Sequence, residues 1–281
     1  MKLIVCDSGS TKADWMVAEN GKETDEFSTM GFNPFFHDAE KVFTELSKNK
    51  AALKHRNVKA TVYFFGAGCS SPQRNQIIKS GLQKFFTDAD ITVDHDMLGA
   101  AIAACGNTAG LVCILGTGSN TAFYDGQHLS ETIHGLGYIM GDEGSGSYYG
   151  KKLITSFLYR IMPEELRKKF FEKYKMTKEV MNENVYHRPD ANVYLASFSP
   201  FLSDNKKHPW IQELVHKGMT EFYETNIISY PEHKSYPVHF IGSIAYHFSD
   251  ILRSVANEYN FTVGKIIVRP VEELMRYYLE K

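Results

Sequence analysis

The 281-residue chain has little of what marks several large functional classes. It has four cysteines, Cys6, Cys69, Cys105 and Cys113, and none form a CxxC pair or a Cys/His zinc spacing, so neither a disulfide framework nor a zinc module is expected. No apolar run approaches the ~18 residues of a membrane span. The first apolar stretch, Leu3-Ile4-Val5-Cys6, ends at Asp7 and is too short for the core of a secretory signal. Charge of one sign is also missing: the net charge is −2, with acids and bases interspersed, so no basic stripe announces nucleic acid. The 11 histidines contain no HExxH and no paired ligand spacing. The expectation is a soluble protein of a reducing, cytoplasmic compartment, with no nucleic-acid or membrane partner.

What is present is an ordinary globular composition, 43% hydrophobic and 23% charged, enough for a substantial core. The length predicts two domains. Leu3–Cys6 reads as a strand, Asp7-Ser8-Gly9-Ser10-Thr11-Lys12 as a turn, and Ala13–Ala18 as a second strand. Asn20-Gly21 then closes a hairpin onto a third strand near Thr24–Ser28. A helix is predicted from Asp38 to about Leu53, a strand at Ala60–Phe65, a helix from Pro72 to Phe86, and a strand at Ile91–Val93 before the small-residue helix around Gly99–Ala104.

At Gly110 the pattern begins again. Leu111–Leu115 is a strand, Gly116-Thr117-Gly118-Ser119-Asn120 a turn, Thr121–Tyr124 a strand, and Asp125-Gly126 another hairpin signal. The unit recurs after about 110 residues, a duplicated architecture rather than a short-period solenoid. Residues 143–230 read as mainly helical. Val238–Ile241 is a further strand, followed by Gly242-Ser243 and a helix over Ile244–Tyr259. A last strand at Lys265–Val268 and a last helix at Val271–Leu279 complete the chain. The order predicts an α/β protein with helix-covered sheets, divided as 1–108 and 109–281. The second domain carries a helical insertion, and the last helix is expected to return to the first domain.

A polyphosphate needs close backbone N–H groups, hydroxyl donors and a carboxylate able to position Mg²⁺ through water. Asp7–Lys12 supplies all three, and Leu115–Asn120 offers a second such loop. Gly242-Ser243, between a strand and a helix, is a third candidate, and its plain alternative is a strand-to-helix turn.

On these residues the chain resembles the actin-like ATPase (sugar kinase/Hsp70/actin) superfamily. Within it, Leu115–Asn120 and Gly137-Tyr138-Ile139-Met140-Gly141-Asp142-Glu143-Gly144-Ser145 look like N-acetylglucosamine kinase and its BadF/BadG/BcrA/BcrD relatives. The resemblance runs from about Leu3 to Leu274 and is sharpest over 113–150. It implies two RNase H-like domains of mixed sheets flanked by helices, with a cleft between them. It also implies ATP and Mg²⁺ as cofactors, a small sugar as substrate and phosphorylation of a sugar hydroxyl, with N-acetylglucosamine or a related amino sugar as acceptor. A homodimer is compatible with it.

The resemblance assigns roles as well. Asp7 would hold Mg²⁺ through water, and Ser10, Thr11 and Lys12 would face the β- and γ-phosphates. Gly116 and Thr117 would contact phosphate from the other domain, with Gly242 and Ser243 near the adenosine. Asp96 matches the catalytic aspartate and would accept the proton of the attacking hydroxyl. Asn33, Gly118, Asn120, Gly135 and Asp142 would surround the sugar. Plainer readings stand beside these: Asp94 or Asp96 as a helix cap, Asn33-Pro34 as a turn, and Asp142 as the cap of a helix over Gly146–Ile161. Any of Cys69, Ser70 and Ser71 could also reach the substrate. Leu136 departs from the pattern, standing where the family often carries Trp. Two other functions fit the same fold: an activator ATPase bridged to a partner by an iron–sulfur cluster, and a sensor that binds nucleotide or sugar without turnover.

Overall fold

The computed structural model describes residues 1–130 and 135–281. The chain divides into two compact units. One comprises Met1–Ala109, Tyr124–Leu129 and Arg269–Lys281; the other comprises Gly110–Phe123 and Ser130–Val268.

The first unit is built on β1 (Lys2–Ser8), β2 (Lys12–Glu19), β3 (Lys22–Met30), β4 (Ala60–Gly66) and β5 (Ala89–His95), in the order β3-β2-β1-β4-β5. β1 pairs antiparallel with β2 and parallel with β4, and β4 pairs parallel with β5. Asn20 and Gly21 both take positive φ (53° and 77°), which matches the hairpin twist between β2 and β3.

Successive side chains of a strand point to opposite faces, so a strand buried on both faces reads as a continuous apolar run. Ile4 and Cys6 of β1 join Trp15, Phe64 and Phe86 on one face, under the helices Ala39–Lys48 and Pro72–Phe85. Val5 joins Phe65, Ile102, Leu274 and Met275 on the other, under Asp96–Cys105 and the last helix, Pro270–Leu279.

The helix expected from Asp38 to Leu53 is two helices, Ala39–Lys48 and Lys50–Leu53. Asn49 breaks it: its Oδ1 accepts from the Ala51 and Ala52 amides, starting a new helix, while its Nδ2 donates to the Ser28 carbonyl.

The second sheet consists of β6 (Gly110–Leu115), β7 (Ser119–Tyr124), the short β8 (Leu129–Ser130), β9 (Val238–Ile241) and β10 (Val263–Ile267), in the order β10-β9-β6-β7-β8. Read from the β8 edge, this is third, second, first, fourth, fifth, the same order as the first sheet. The duplication legible in the two hairpins thus extends to whole sheets. The helices Gly146–Leu158 and Pro209–Phe222 build the core here with Tyr149, Leu153, Phe170, Phe198 and Phe222. The helix expected over Ile244–Tyr259 is split into Ser243–His247 and Ser249–Glu258 at the buried Phe248, which leaves helical geometry (φ −117°, ψ 31°).

Candidate active site

Ligands of open α/β sheets gather at the carboxyl ends of parallel strands. In the first unit those ends form a row: Asp7 pairs in register with Phe65 and Phe65 with Asp94, while Ser8 pairs with Gly66 and Gly66 with His95. The Ser8–Lys12 loop springs from this row. It is backed by Gly31-Phe32, whose amides donate to the Thr11 carbonyl (3.1 Å) and to Ser8 Oγ (2.9 Å). A Cβ on Gly31 would lie 2.0 Å from the Gly9 carbonyl oxygen, so only glycine lets the backbones approach this closely.

Three carboxylates surround the loop. Burial pushes the Asp7 carboxyl up to about 7, and the neighbouring Asp96 and Asp14 push in the same direction. Asp14 on β2 is the register partner of Asp7; it accepts from Ser28 Oγ and pairs with Lys12 Nζ, each at 2.7 Å. Asp96 is the first residue of the helix Asp96–Cys105, and its Oδ1 accepts from the Met97 amide.

The cap position of that helix falls on His95, with no side-chain bond, so neither Asp94 nor Asp96 caps it. Asp94 accepts from the His95 amide at 2.8 Å. Of the three residues after Gly68, Ser71 caps the helix Pro72–Phe85 and Ser70 accepts from Arg74 Nη1. Cys69 is buried; burial, with Asp96 and Asp94 adding to it, pushes its thiol up to about 12. Asn33 is buried and builds a turn: its Oδ1 accepts from the Phe35 amide, and the left-handed Gly68 packs against it.

In the second unit the loop after β6 docks on the helix Gly146–Leu158. The Gly116 and Thr117 carbonyls accept from the Gly146 and Ser147 amides at 2.8 and 2.9 Å, so those two helix amides are already engaged. Gly242, at φ 116°, lies against the same loop: a Cβ there would be 2.4 Å from the Leu115 carbonyl oxygen. Ser243 opens a helix of only five residues.

The four sugar candidates of this unit also lie together. Asp142 accepts from the Ser119 amide at 3.2 Å, a Cβ on Gly118 would lie 2.9 Å from its Oδ2, and a Cβ on Gly135 would lie 3.7 Å from Asn120 Oδ1. Burial raises the Asp142 carboxyl, opposed by the Ser119 amide and by Lys151. Asp142 does not cap the following helix; Ser145 does, accepting from the Tyr148 amide. Its left-handed backbone (φ 60°) instead turns the carboxylate toward β7.

Sequence reasoning missed Asp14, Gly31 and Lys151. The register of the β1–β2 hairpin was the available signal for Asp14, since a tight turn after Ser8 brings Asp14 opposite Asp7. Gly31 is in contact with the loop only through tertiary packing. Among the described residues, no three His, Cys, Asp or Glu side chains form a direct metal cage. The Asp7–Asp14–Asp96 grouping, with mutually repelling carboxylates and a raised Asp7, suits a cation held through water rather than by direct ligation.

No protein-family model matches the chain, and neither does any curated protein. Among solved structures it is similar to a Porphyromonas gingivalis protein provisionally named an N-acetylglucosamine kinase, at 38% identity over 99% of each chain, with a TM-score of 0.91. A Chromobacterium violaceum protein of the same provisional name matches at 17% identity over 98% of each chain (TM-score 0.71). A ROK-family glucokinase from Streptomyces griseus, in complex with glucose and AMPPNP, matches at 13% identity over 99% of this chain and 98% of its own (TM-score 0.53). The last two share the fold.

Proposed function

The chain belongs to the N-acetylglucosamine kinase-like family of actin-like ATPases, and from that premise we propose that it transfers the γ-phosphoryl group of ATP to a hydroxyl of an N-acetylated amino sugar. The observation that carries this reading is Asp96, standing at the strand ends that bear the Ser8–Lys12 loop and close enough to Asp7 to raise its carboxyl.

In the proposed reaction the sugar hydroxyl oxygen bonds to the γ-phosphorus, the bond from that phosphorus to the β–γ bridging oxygen breaks, and ADP leaves. Asp96 takes the hydroxyl proton. Its contribution as a base is modest beside positioning and charge stabilisation, which dominate phosphoryl transfer. Ser10, Thr11 and Lys12, and from the second unit Gly116 and Thr117, are read as phosphate contacts. Lys12 is paired with Asp14, and a phosphate would draw it away. Mg²⁺, held through water by Asp7, would supply neutralising charge to the phosphates. Gly242 and Ser243 are read as the nucleoside side. Asn33, Gly118, Asn120, Gly135 and Asp142 are read as sugar contacts, with Leu136 exposed where the family pattern it resembles often has Trp.

The activator reading needs cysteines presented at a subunit junction to hold an iron–sulfur cluster. All four cysteines are buried, which favours the kinase. The test is a coupled ADP-release screen with N-acetylglucosamine, N-acetylmannosamine, glucosamine, glucose and muramic-acid derivatives. Stimulation by N-acetylated sugars above glucose is expected. ATP consumption that no sugar stimulates would overturn the proposal.

A further inference from the structure

Within the second unit lies a cavity of about 740 Å³ that contains none of the residues read as nucleotide or sugar contacts. Its size falls in the ~300–1,000 Å³ range of small-molecule sites. The floor is Ile154 and Leu195, both buried. Tyr138, Ile139, Met181, Val185 and Tyr186 also line it. The rim is apolar yet open to water: Ile139 is 72% exposed, Tyr159 74% and Tyr186 72%. Large apolar side chains clustered in this way around a concave site mark a binding surface rather than the scatter of a normal exterior.

Two further observations say what would fit. The lining holds two ammonium groups, Lys151 and Lys178, and no carboxylate, and the charge of Lys151 is already met by Asp142 and Glu143 behind the lining. Among the described residues Lys178 has no ion pair, while Lys151 Nζ bonds the Tyr138 carbonyl. Val185 and Tyr186 of the lining are carried by a single π-turn over Glu183–His187. Such turns are rare, and where they persist they often aim side chains at a functional site.

We propose that this cavity is a binding site for a small amphipathic anion, an apolar body carrying one carboxylate or phosphate, with the body between Ile154, Leu195 and Met181 and the charge at Lys178. The site shares Tyr138 and Ile139 with the segment that runs from Gly135 to Asp142, but its existence does not depend on what the sugar residues bind.

The test is calorimetric titration of the full chain with decanoate below its micelle concentration, beside decanol and decyltrimethylammonium as neutral and cationic counterparts. Decanoate is expected to bind saturably at one per chain, and about tenfold more tightly than either counterpart. Lys178→Glu, at an exposed position, and Thr155→Glu, which puts a carboxylate in the lining, should each weaken decanoate by about tenfold while leaving the melting temperature unchanged. Absence of saturable binding, equal binding of all three amphiphiles, or indifference to both variants would each overturn the proposal. So would a dimer, seen by sedimentation, that Tyr186→Ser dissociates and that decanoate does not compete with, since a second copy would then be the occupant.

Discussion

Asp7 and Asp14 face each other across β1 and β2 as register partners, two carboxylates on adjacent strands at the base of the Ser8–Lys12 loop. Asp14 is paired with the Lys12 ammonium and accepts a hydrogen bond from Ser28 Oγ. Asp7 has no such relief: it is surrounded by Asp14, Asp96 and low-dielectric protein, and its proton is held up to about 7. This crowding of carboxylates in low-dielectric protein costs stability.

The first prediction follows from that cost. In the unfolded chain Asp7 loses its proton in the ordinary carboxylate range, while in the folded chain it keeps the proton until about pH 7. Between those limits the folded state binds more protons, so stability falls as pH rises through the window and levels off above it. Every tenfold difference in proton affinity between the two states is worth about 1.4 kcal/mol, so the loss is at most a few kcal/mol. Asp7→Asn should remove this slope, melting above wild type near pH 8 and close to it near pH 4.5. Added Mg²⁺ should raise the wild-type melting temperature near pH 8 more than that of the variant. Parallel melting profiles for the two proteins across pH would contradict the assignment.

Asp96→Asn tests the base. The amide keeps the shape and the acceptor for the Met97 amide but cannot take a proton. Sugar-dependent ADP release should fall by about 10²–10⁴-fold, with ATP affinity nearly unchanged. Asp94→Asn is the control, expected to retain most activity because its carboxylate is occupied with the His95 amide. Wild-type-like turnover in the Asp96 variant would remove it from the mechanism.

The two loops depend on close backbone approaches that a methyl group would forbid. Gly31→Ala would drive a Cβ to 2.0 Å from the Gly9 carbonyl oxygen, and Gly242→Ala to 2.4 Å from that of Leu115, the latter also at φ 116°. Each should lower ATP affinity more than sugar affinity and destabilise the fold by about 1–3 kcal/mol. Nucleotide titration and thermal melting would separate the two effects.

The fold was legible because its signals are local. The Asn20-Gly21 turn, the apolar run of β1 and its recurrence at β6 all lie within short windows. The single-helix expectation over Asp38–Leu53 failed because Asn49 donates to Ser28, a partner on β3 that no window contains. The Asp142 cap failed for a similar reason: its amide partner is Ser119, 23 residues earlier. The two loops could be singled out from residue type and position and Asp96 from the family resemblance, whereas Gly31, Asp14 and Lys151 act through pairing and packing that only the folded chain brings together.

Asp142 offers the sharpest separation of structure from recognition. Its left-handed backbone is one that asparagine also tolerates, and an amide oxygen can accept from the Ser119 amide as the carboxylate does. Asp142→Asn therefore removes charge while keeping geometry. Because burial holds the carboxyl above its usual range, stability should hold or rise slightly above the carboxylate range. Sugar KM should rise by about tenfold or more, with ATP KM little changed, as expected when one charge-assisted hydrogen bond to a hydroxyl is weakened. Asp142→Ala also orphans the Ser119 amide and puts alanine at φ 60°, so it should lose about 1–3 kcal/mol of stability as well. If the asparagine variant kept wild-type sugar kinetics while the alanine variant lost both stability and activity, Asp142 would be a support for β7 and not a sugar contact.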